Sequence, residues 1–169
     1  MRNLYIDFDG VVLDTISVTY KILNEMGVST KEHDKVSHFY QNLNWKHILK
    51  ISPELNESID CIKKIMDSNK FNVYVLTHVN SLDEAIEKVV YIRKYIADVT
   101  VIPVPRDISK TSMARAKDAI LIDDYSGNLK EWEEKGGIGL QFSIKSKDKG
   151  FKVIDKLDEI LKIDFDKLK

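Results

Sequence analysis

Four short apolar runs, each separated from the next by residues of helical period, constrain the fold more than any other feature of the chain. They are NLYIDF (3–8), FNVYVLT (71–77), VTVIPV (99–104) and AILIDD (119–124), with a weaker fifth, IGLQFS (138–143). All are rich in Val, Ile and Leu, and two are continuous enough to be buried on both faces, the pattern of a parallel sheet. Helical patterns fill the gaps. SLDEAIEKVVYIRKYIAD opens with Ser81 and Glu84 at capping-box spacing and repeats Leu82, Ile86, Val89 and Ile96 with helical period. SGNLKEWEEKGG runs from Ser126 as a cap to Gly136 at the C-cap position, and FKVIDKLDEILK (151–162) sets Ile154, Leu157 and Leu161 on one helical face. Strands alternating with helices predict an α/β fold, a three-layer, Rossmann-like parallel sheet.

The alternation breaks once. Roughly sixty residues from Thr15 to Lys70 carry no clear strand and read as helices, far more than a single crossover helix needs. One helix ends near Gly27 and one, around residues 31–50, carries Phe39, Tyr40 and Trp45. A third begins with Ser52 as cap and Pro53 at the first helical position, with Leu55, Ile59, Ile62 and Met66 in register. The expected organisation is a core of residues 1–14 and 71–169, with residues 15–70 forming a small helical cap inserted after the first strand.

The bulk numbers restrict the partners. Twenty-six basic against 27 acidic residues give a net charge of -1, so a long nucleic-acid track, which needs clustered Lys and Arg, is not expected. No apolar run is long enough to cross a bilayer, an acid at Asp7 argues against a signal peptide, and the single cysteine, Cys61, permits no internal disulfide. A cytoplasmic protein without a membrane partner is expected.

In an open parallel sheet, ligands bind beyond the carboxyl ends of the strands. There the first run supplies Asp7, Asp9 and Gly10, the second Thr77 and His78, the third Lys110, and the fourth Asp123 and Asp124. Four neighbouring carboxylates repel, and one or more stays protonated unless a cation joins them. Oxygen ligands with open positions suit Mg²⁺, a hard ion that favours phosphate substrates. Thr77 and Lys110 offer a donor and a positive charge to phosphate oxygens. Asp7 has the chemistry of a nucleophile forming an aspartyl-phosphate, and Asp9 that of a general acid and then base. Gly10 lets the chain turn sharply beside a phosphate.

DFDGVVLDT resembles the first motif of the haloacid dehalogenase-like (HAD) phosphohydrolases, two Asp separated by one residue and followed by Gly, a further acid and Thr. VLTHVN resembles the second motif, ILIDDYSGN the fourth, and the Lys of ISKT stands for the third, all in the family's order. The first and fourth motifs are the specific ones. The helical insertion is similar to the small cap of the C1 branch, and LIDDYSGNLKEWEEKGGIGLQF resembles the 5'(3')-deoxyribonucleotidase group. The resemblance implies Asp7 as nucleophile and Asp9 as acid/base. It implies Mg²⁺ held by a carboxylate oxygen of Asp7, the backbone carbonyl of Asp9 and one of Asp123 and Asp124, with Asp123 favoured as the direct ligand. Thr77, His78 and Lys110 are grouped as phosphate-binding. The interval from Lys110 to Asp123 is longer than the nucleotidase pattern, which keeps Lys117 as an alternative motif lysine. The substrate implied is a small phosphomonoester, a nucleoside monophosphate first, with sugar phosphates as the alternative.

Plainer readings stand beside these. Asp-x-Asp-Gly alone is a common turn, and Asp123–Asp124 alone would serve as a helix cap. Phe39, Tyr40 and Trp45 either pack the insertion or stack on a nucleobase, packing being the commoner role. His33, His38, His47 and His78 show no zinc-like spacing with Cys61. A signalling receiver domain would want its acid pair early, near its first strand, whereas here the second pair follows Thr77 and Lys110. A non-catalytic domain that binds a phosphorylated ligand is the other competitor.

Overall fold

The computed structural model describes residues 1–145 and 150–167; residues 146–149 and 168–169, which the sequence reading assigns to the core, lie outside them. Six strands, β1 (Arg2–Ile6), β2 (Phe71–Val79), β3 (Thr100–Pro105), β4 (Ile120–Asp123), β5 (Ile138–Phe142) and β6 (Lys152–Ile154), form one sheet in the order β3-β2-β1-β4-β5-β6. Every pairing is parallel. The four expected strands and the weaker fifth are all present. The order reverses between β1 and β4, so the crevice beyond the carboxyl ends of these two strands is the topological switch point where such sheets bind ligands.

The strands alternate as a period of two requires. Leu4 and Ile6 of β1, with Ile120 and Ile122 of β4, face one side with α4 (Ser58–Asp67) and Ile92 of α5 (Leu82–Tyr95). Tyr5 and Leu121 face the other with Leu129 and Trp132 of α7 (Ser126–Glu134). Between β1 and β2 lie α1 (Thr15–Glu25), α2 (His33–Gln41), α3 (Trp45–Ile51) and α4, and α6 (Lys110–Met113) follows β3. Ile59, Ile62 and Ile65 of α4 are buried in the sheet's own core, and α3 lies against α5. Among the described residues, no helix is long and apolar enough to cross a membrane.

Four local expectations are corrected. The helix expected over 31–50 is two helices: α2 ends at Gln41 with Asn42 as its C-cap, and Asn44 caps α3, its side chain accepting from the His47 N–H at 3.0 Å. Ser52 and Pro53 do not start α4. Ser52 ends α3, its hydroxyl donating to the Ile48 carbonyl at 2.7 Å, and Pro53 to Leu55 run alongside the chain after β1. There the Asp14 N–H donates to the Pro53 carbonyl at 2.9 Å and the Leu55 N–H to the Val12 carbonyl at 3.0 Å. In FKVIDKLDEILK, residues 152–154 form β6 and residues 157–162 a 3-10 helix. Ile154 and Leu157 are buried as expected, but Ile154 through edge pairing with β5 and Leu157 in the 3-10 helix that lies against α4, non-local contacts invisible to helical periodicity. Finally, Tyr125 rather than Ser126 stands at the N-cap of α7.

The rear wall of the sheet depends on a close approach. A Cβ at Gly137 would lie 2.2 Å from Cδ1 of Trp132 and 2.9 Å from the Ala116 carbonyl oxygen. Trp132 is fully buried and donates its indole N–H to the Ala119 carbonyl at 3.1 Å, so it has nowhere to retreat. Gly137→Ala should therefore cost about 1–3 kcal/mol by overpacking, a loss of about 2–4 °C in melting temperature per kcal/mol. Thermal denaturation followed by circular dichroism measures it, and an unchanged melting temperature would contradict this account of the wall.

Candidate active site

The site begins where β1 runs out. The Asp7 N–H still pairs with the Ile122 carbonyl at 2.9 Å, holding the first acid beside β4. The chain then folds back on itself: the N–H groups of Val11, Val12 and Leu13 all donate to the Phe8 carbonyl. Gly10 adopts φ +75, and a Cβ there would sit 2.5 Å from Oδ2 of Asp124. Only glycine meets both demands, which is why this loop can lie against the acid pair at the end of β4.

Asp7, Asp123 and Asp124 present carboxylate oxygens all within 4.8 Å of one another. Lys110, the first residue of α6, reaches between two of them, its Nζ 2.8 Å from Oδ1 of Asp7 and 2.6 Å from Oδ2 of Asp123. It is 2% exposed, so this ammonium is as buried as its partners. Lys117, by contrast, is exposed and lies beside Gly136. Asp123 is well supplied with donors: the Tyr125 N–H reaches Oδ1 at 2.9 Å, and Asn128 Nδ2 reaches Oδ2 at 2.9 Å alongside Lys110. No hydrogen bond or ion pair engages Asp124 among the described residues. Next to the cluster, Gln141, the register partner of Asp123, has its buried Oε1 without a hydrogen-bond partner, an acceptor with spare capacity.

Asp9 lies on the other side of the loop, toward a cleft of about 310 Å³ whose lining includes Tyr20, Tyr40, Trp45, His78 and Arg106. Its Oδ1 accepts from the Thr15 hydroxyl at 2.6 Å and its Oδ2 from Lys88 Nζ at 2.5 Å. Thr77 is fully buried beneath it, its hydroxyl 3.4 Å from Oδ2 of Asp9 and accepting from Lys88 at 3.1 Å. His78 borders the cleft with Nε2 2.9 Å from the Ile108 carbonyl, and burial pushes its pKa below the ordinary histidine value. Phe39 and Trp45 are buried, whereas Tyr40 is half-buried, its hydroxyl 3.0 Å from that of Thr19. The structure thus brings Asp7, Lys110, Asp123 and Asp124 together, with Asp9, Thr77 and His78 adjoining them.

Two residues of this constellation escaped the sequence reading, Lys88 and Glu84. Of the expected stripe Leu82, Ile86, Val89 and Ile96, Leu82 and Ile86 are exposed, Val89 is half-buried and Ile96 is buried, and α5 itself buries Glu84, Lys88 and Ile92. The only signal was Glu84 four residues before Lys88, which ordinarily marks a solvated surface pair. Burial works against the Lys88 ammonium, but Asp9 and Glu84 outweigh it and hold its pKa above the usual lysine value.

The electrostatics of the acid cluster fit a cation. Burial first, and then repulsion from Asp123, push the Asp7 carboxyl up to about 7 despite Lys110 beside it. Burial followed by repulsion from Asp7 and Asp123 pushes Asp124 up to about 8. One ammonium is not enough for three carboxylates, and an all-oxygen donor set of this kind suits a hard divalent ion that keeps waters of its own.

No family model matches the chain, and no curated protein matches it. Solved structures do. A hydrolase from Pseudomonas syringae superposes with a TM-score of 0.64 over 100% of both chains at 11% identity. A HAD phosphatase from Thermococcus onnurineus gives 0.61 over 96% of this chain and 97% of that one at 12% identity. A magnesium-bound HAD-hydrolase from Bacillus subtilis gives 0.62 over 95% and 97%, also at 12% identity. At such identities the likeness is one of fold: the expected HAD-like, Rossmann-type architecture is the one observed.

The raised carboxyls give a pH dependence with a definite sign. Between about pH 4 and pH 8 the folded protein keeps protons on Asp7 and Asp124 that the unfolded chain has released. Their contribution to stability is fully present below that window and is lost as pH rises through it. The melting temperature of the metal-free protein should therefore gain more from added Mg²⁺ at about pH 8 than at about pH 5, and Asp124→Asn should reduce the difference. Differential scanning fluorimetry decides; a Mg²⁺ effect that is equal at both pH values would contradict the crowded-carboxylate reading.

Proposed function

We propose that the protein is a Mg²⁺-dependent phosphomonoesterase that works through an aspartyl-phosphate on Asp7, with nucleoside monophosphates as its first substrate class. The observation that carries this reading is the cluster of Asp7, Asp123 and Asp124 at the switch point of the sheet, the first two of them paired with one buried lysine. A phosphatase among the proteins of the same fold, and a hydrolase there that binds magnesium, add support.

Asp7, the Asp9 carbonyl and one of the two β4 acids would hold the metal. The donor tally favours Asp124 for this, since Asp123 is already engaged by Lys110, Asn128 and the Tyr125 N–H. Bound there, Mg²⁺ supplies positive charge to the phosphoryl oxygens. Lys110 aligns Asp7 and favours its ionised form, which a bound cation would complete, and adds charge near the phosphoryl group. A carboxylate oxygen of Asp7 attacks phosphorus while the bond to the leaving oxygen breaks, and Asp9 gives that oxygen its proton. Asp9 then takes a proton from water, whose oxygen attacks phosphorus, returning Asp7 and releasing inorganic phosphate. The leaving group would lie in the cleft bounded by α1 and α2, the part of the 15–70 insertion that acts as the cap, where Tyr20 and Tyr40 offer faces for a base. The buried free thiol of Cys61 fits the cytoplasmic setting we propose.

Phosphate release from ribo- and deoxynucleoside monophosphates, sugar phosphates and an aryl phosphate, with Mg²⁺ and with EDTA, tests the reading. Mg²⁺-dependent release strongest on nucleotides is expected. Asp7→Asn should lower turnover by on the order of 10³-fold or more without altering the circular dichroism spectrum. Release only from sugar or aryl phosphates would overturn the substrate class. No release from any ester by the folded protein would overturn the enzyme and leave a phospho-ligand-binding domain.

A further inference from the structure

Lys88 attacks nothing and carries no proton in this mechanism, yet its ammonium is bonded to four polar groups. It is 0% exposed, and fully buried lysines are rare unless paired. Its Nζ lies 2.5 Å from Oδ2 of Asp9 and 2.7 Å from Oε1 of Glu84, and donates to the His78 carbonyl at 3.0 Å and the Thr77 hydroxyl at 3.1 Å. That leaves none of its three N–H groups for a ligand. Two aromatic rings close the remaining sides, Phe8 with its centroid 5.3 Å and Trp45 with its centroid 5.1 Å from the ammonium. Glu84 is held in turn by the Asn80 N–H at 2.6 Å and Asn80 Nδ2 at 3.0 Å.

We propose that Lys88, steadied by Glu84, is the positioning residue for Asp9, holding one carboxylate oxygen from α5 while Thr15 holds the other from α1, so that the carboxyl stays at the mouth of the leaving-group cleft. The inference rests on the phosphatase reading, in which Asp9 exchanges a proton with the leaving oxygen. A fold alone gives no reason for this arrangement. A buried ion network contributes little net stability compared with apolar side chains of the same volume, and α5 offers Ile86, Val89 and Val90 within a turn of it. The network joins α1, α5 and the loop after β1, and meets at Asp9, the carboxylate of that loop that lines the cleft. A proton donor a fraction of an ångström out of place loses most of its effect, and a carboxylate on a short loop needs such fixing.

The test uses the dependence on the leaving group. An alkoxide cannot leave without a proton, whereas a nitrophenolate leaves as the anion, so only alkyl esters need Asp9 in the first step. Lys88→Met keeps the stem between Phe8 and Trp45 and removes the ammonium. The double variant Lys88→Met with Glu84→Gln also relieves the carboxylate left behind, and serves if the single variant does not fold. The expected result, with the circular dichroism spectrum unchanged, is a fall of about 100-fold in kcat/KM on a nucleoside monophosphate and only a few-fold fall in kcat/KM on p-nitrophenyl phosphate, because kcat/KM reports the leaving-group step and not the hydrolysis of the aspartyl-phosphate common to both esters. Equal losses in kcat/KM on both esters, or a wild-type kcat/KM on the nucleotide, would overturn the proposal. A readout independent of activity is the ¹⁵N-detected ammonium resonance of Lys88 in the wild-type protein, expected to be protected from exchange and shifted by Asp9→Asn. An unprotected signal, or one that Asp9→Asn leaves in place, would overturn the contact itself. If the wild-type protein hydrolyses neither ester, the phosphatase reading falls, and a protected signal moved by Asp9→Asn still supports Lys88 as the residue that holds Asp9.

Discussion

Lys110 is the cation on which the site depends. Its Nζ lies 2.8 Å from Asp7 and 2.6 Å from Asp123, joining the end of β1 to the end of β4 from the first turn of α6. Without it, a fold that buries three acids at the centre of a parallel sheet would face the full cost of their mutual repulsion. With it, the acids can be kept close; burial, and after it the repulsion that one lysine does not cancel, raises Asp7 and Asp124 and favours a metal ion. The geometry around it follows. Asn128 and the Tyr125 N–H complete Asp123, and Gly10 lets the loop after β1 close on Asp124.

A second buried ammonium mirrors the first. Lys88 stands on the other side of the same loop and ties Asp9 to Glu84, as Lys110 ties Asp7 to Asp123. The two acids of the opening motif are therefore each bonded to their own lysine, from helices on opposite faces of the sheet. Asp7 is turned to the acid cluster and Asp9 to the cleft. This division suits two carboxylates with two tasks, one to attack and one to exchange a proton.

What the sequence made legible follows the physics of each element. β1 and β4 were readable because strands buried on both faces carry continuous large apolar residues, Leu4–Ile6 and Ile120–Ile122, and their ends point to Asp7, Asp9, Asp123 and Asp124. Lys110 was named but with Lys117 as rival, since chain distance does not tell which lysine folds inward; the start of α6 against the switch point decides it. β6 was missed because three residues pairing with β5 leave no periodic trace. The face of α5 was misread for a different reason. Its buried stripe is Glu84, Lys88 and Ile92, and an ion network compensated by Asp9 cannot be seen by counting apolar residues. Hydrophobic periodicity finds the core wherever burial is apolar, and fails where charges are buried for a purpose.

The central claim is that the carboxylate of Asp7, held by Lys110, becomes covalently phosphorylated. Rapid quenching of the protein during turnover, reduction with borohydride and peptide mass spectrometry would test it most directly, because reduction converts an aspartyl-phosphate to homoserine. The account predicts homoserine at position 7 only, dependent on substrate and absent in Asp7→Asn. Substrate-dependent conversion at Asp9 or Asp123, or turnover with no converted residue, would contradict it.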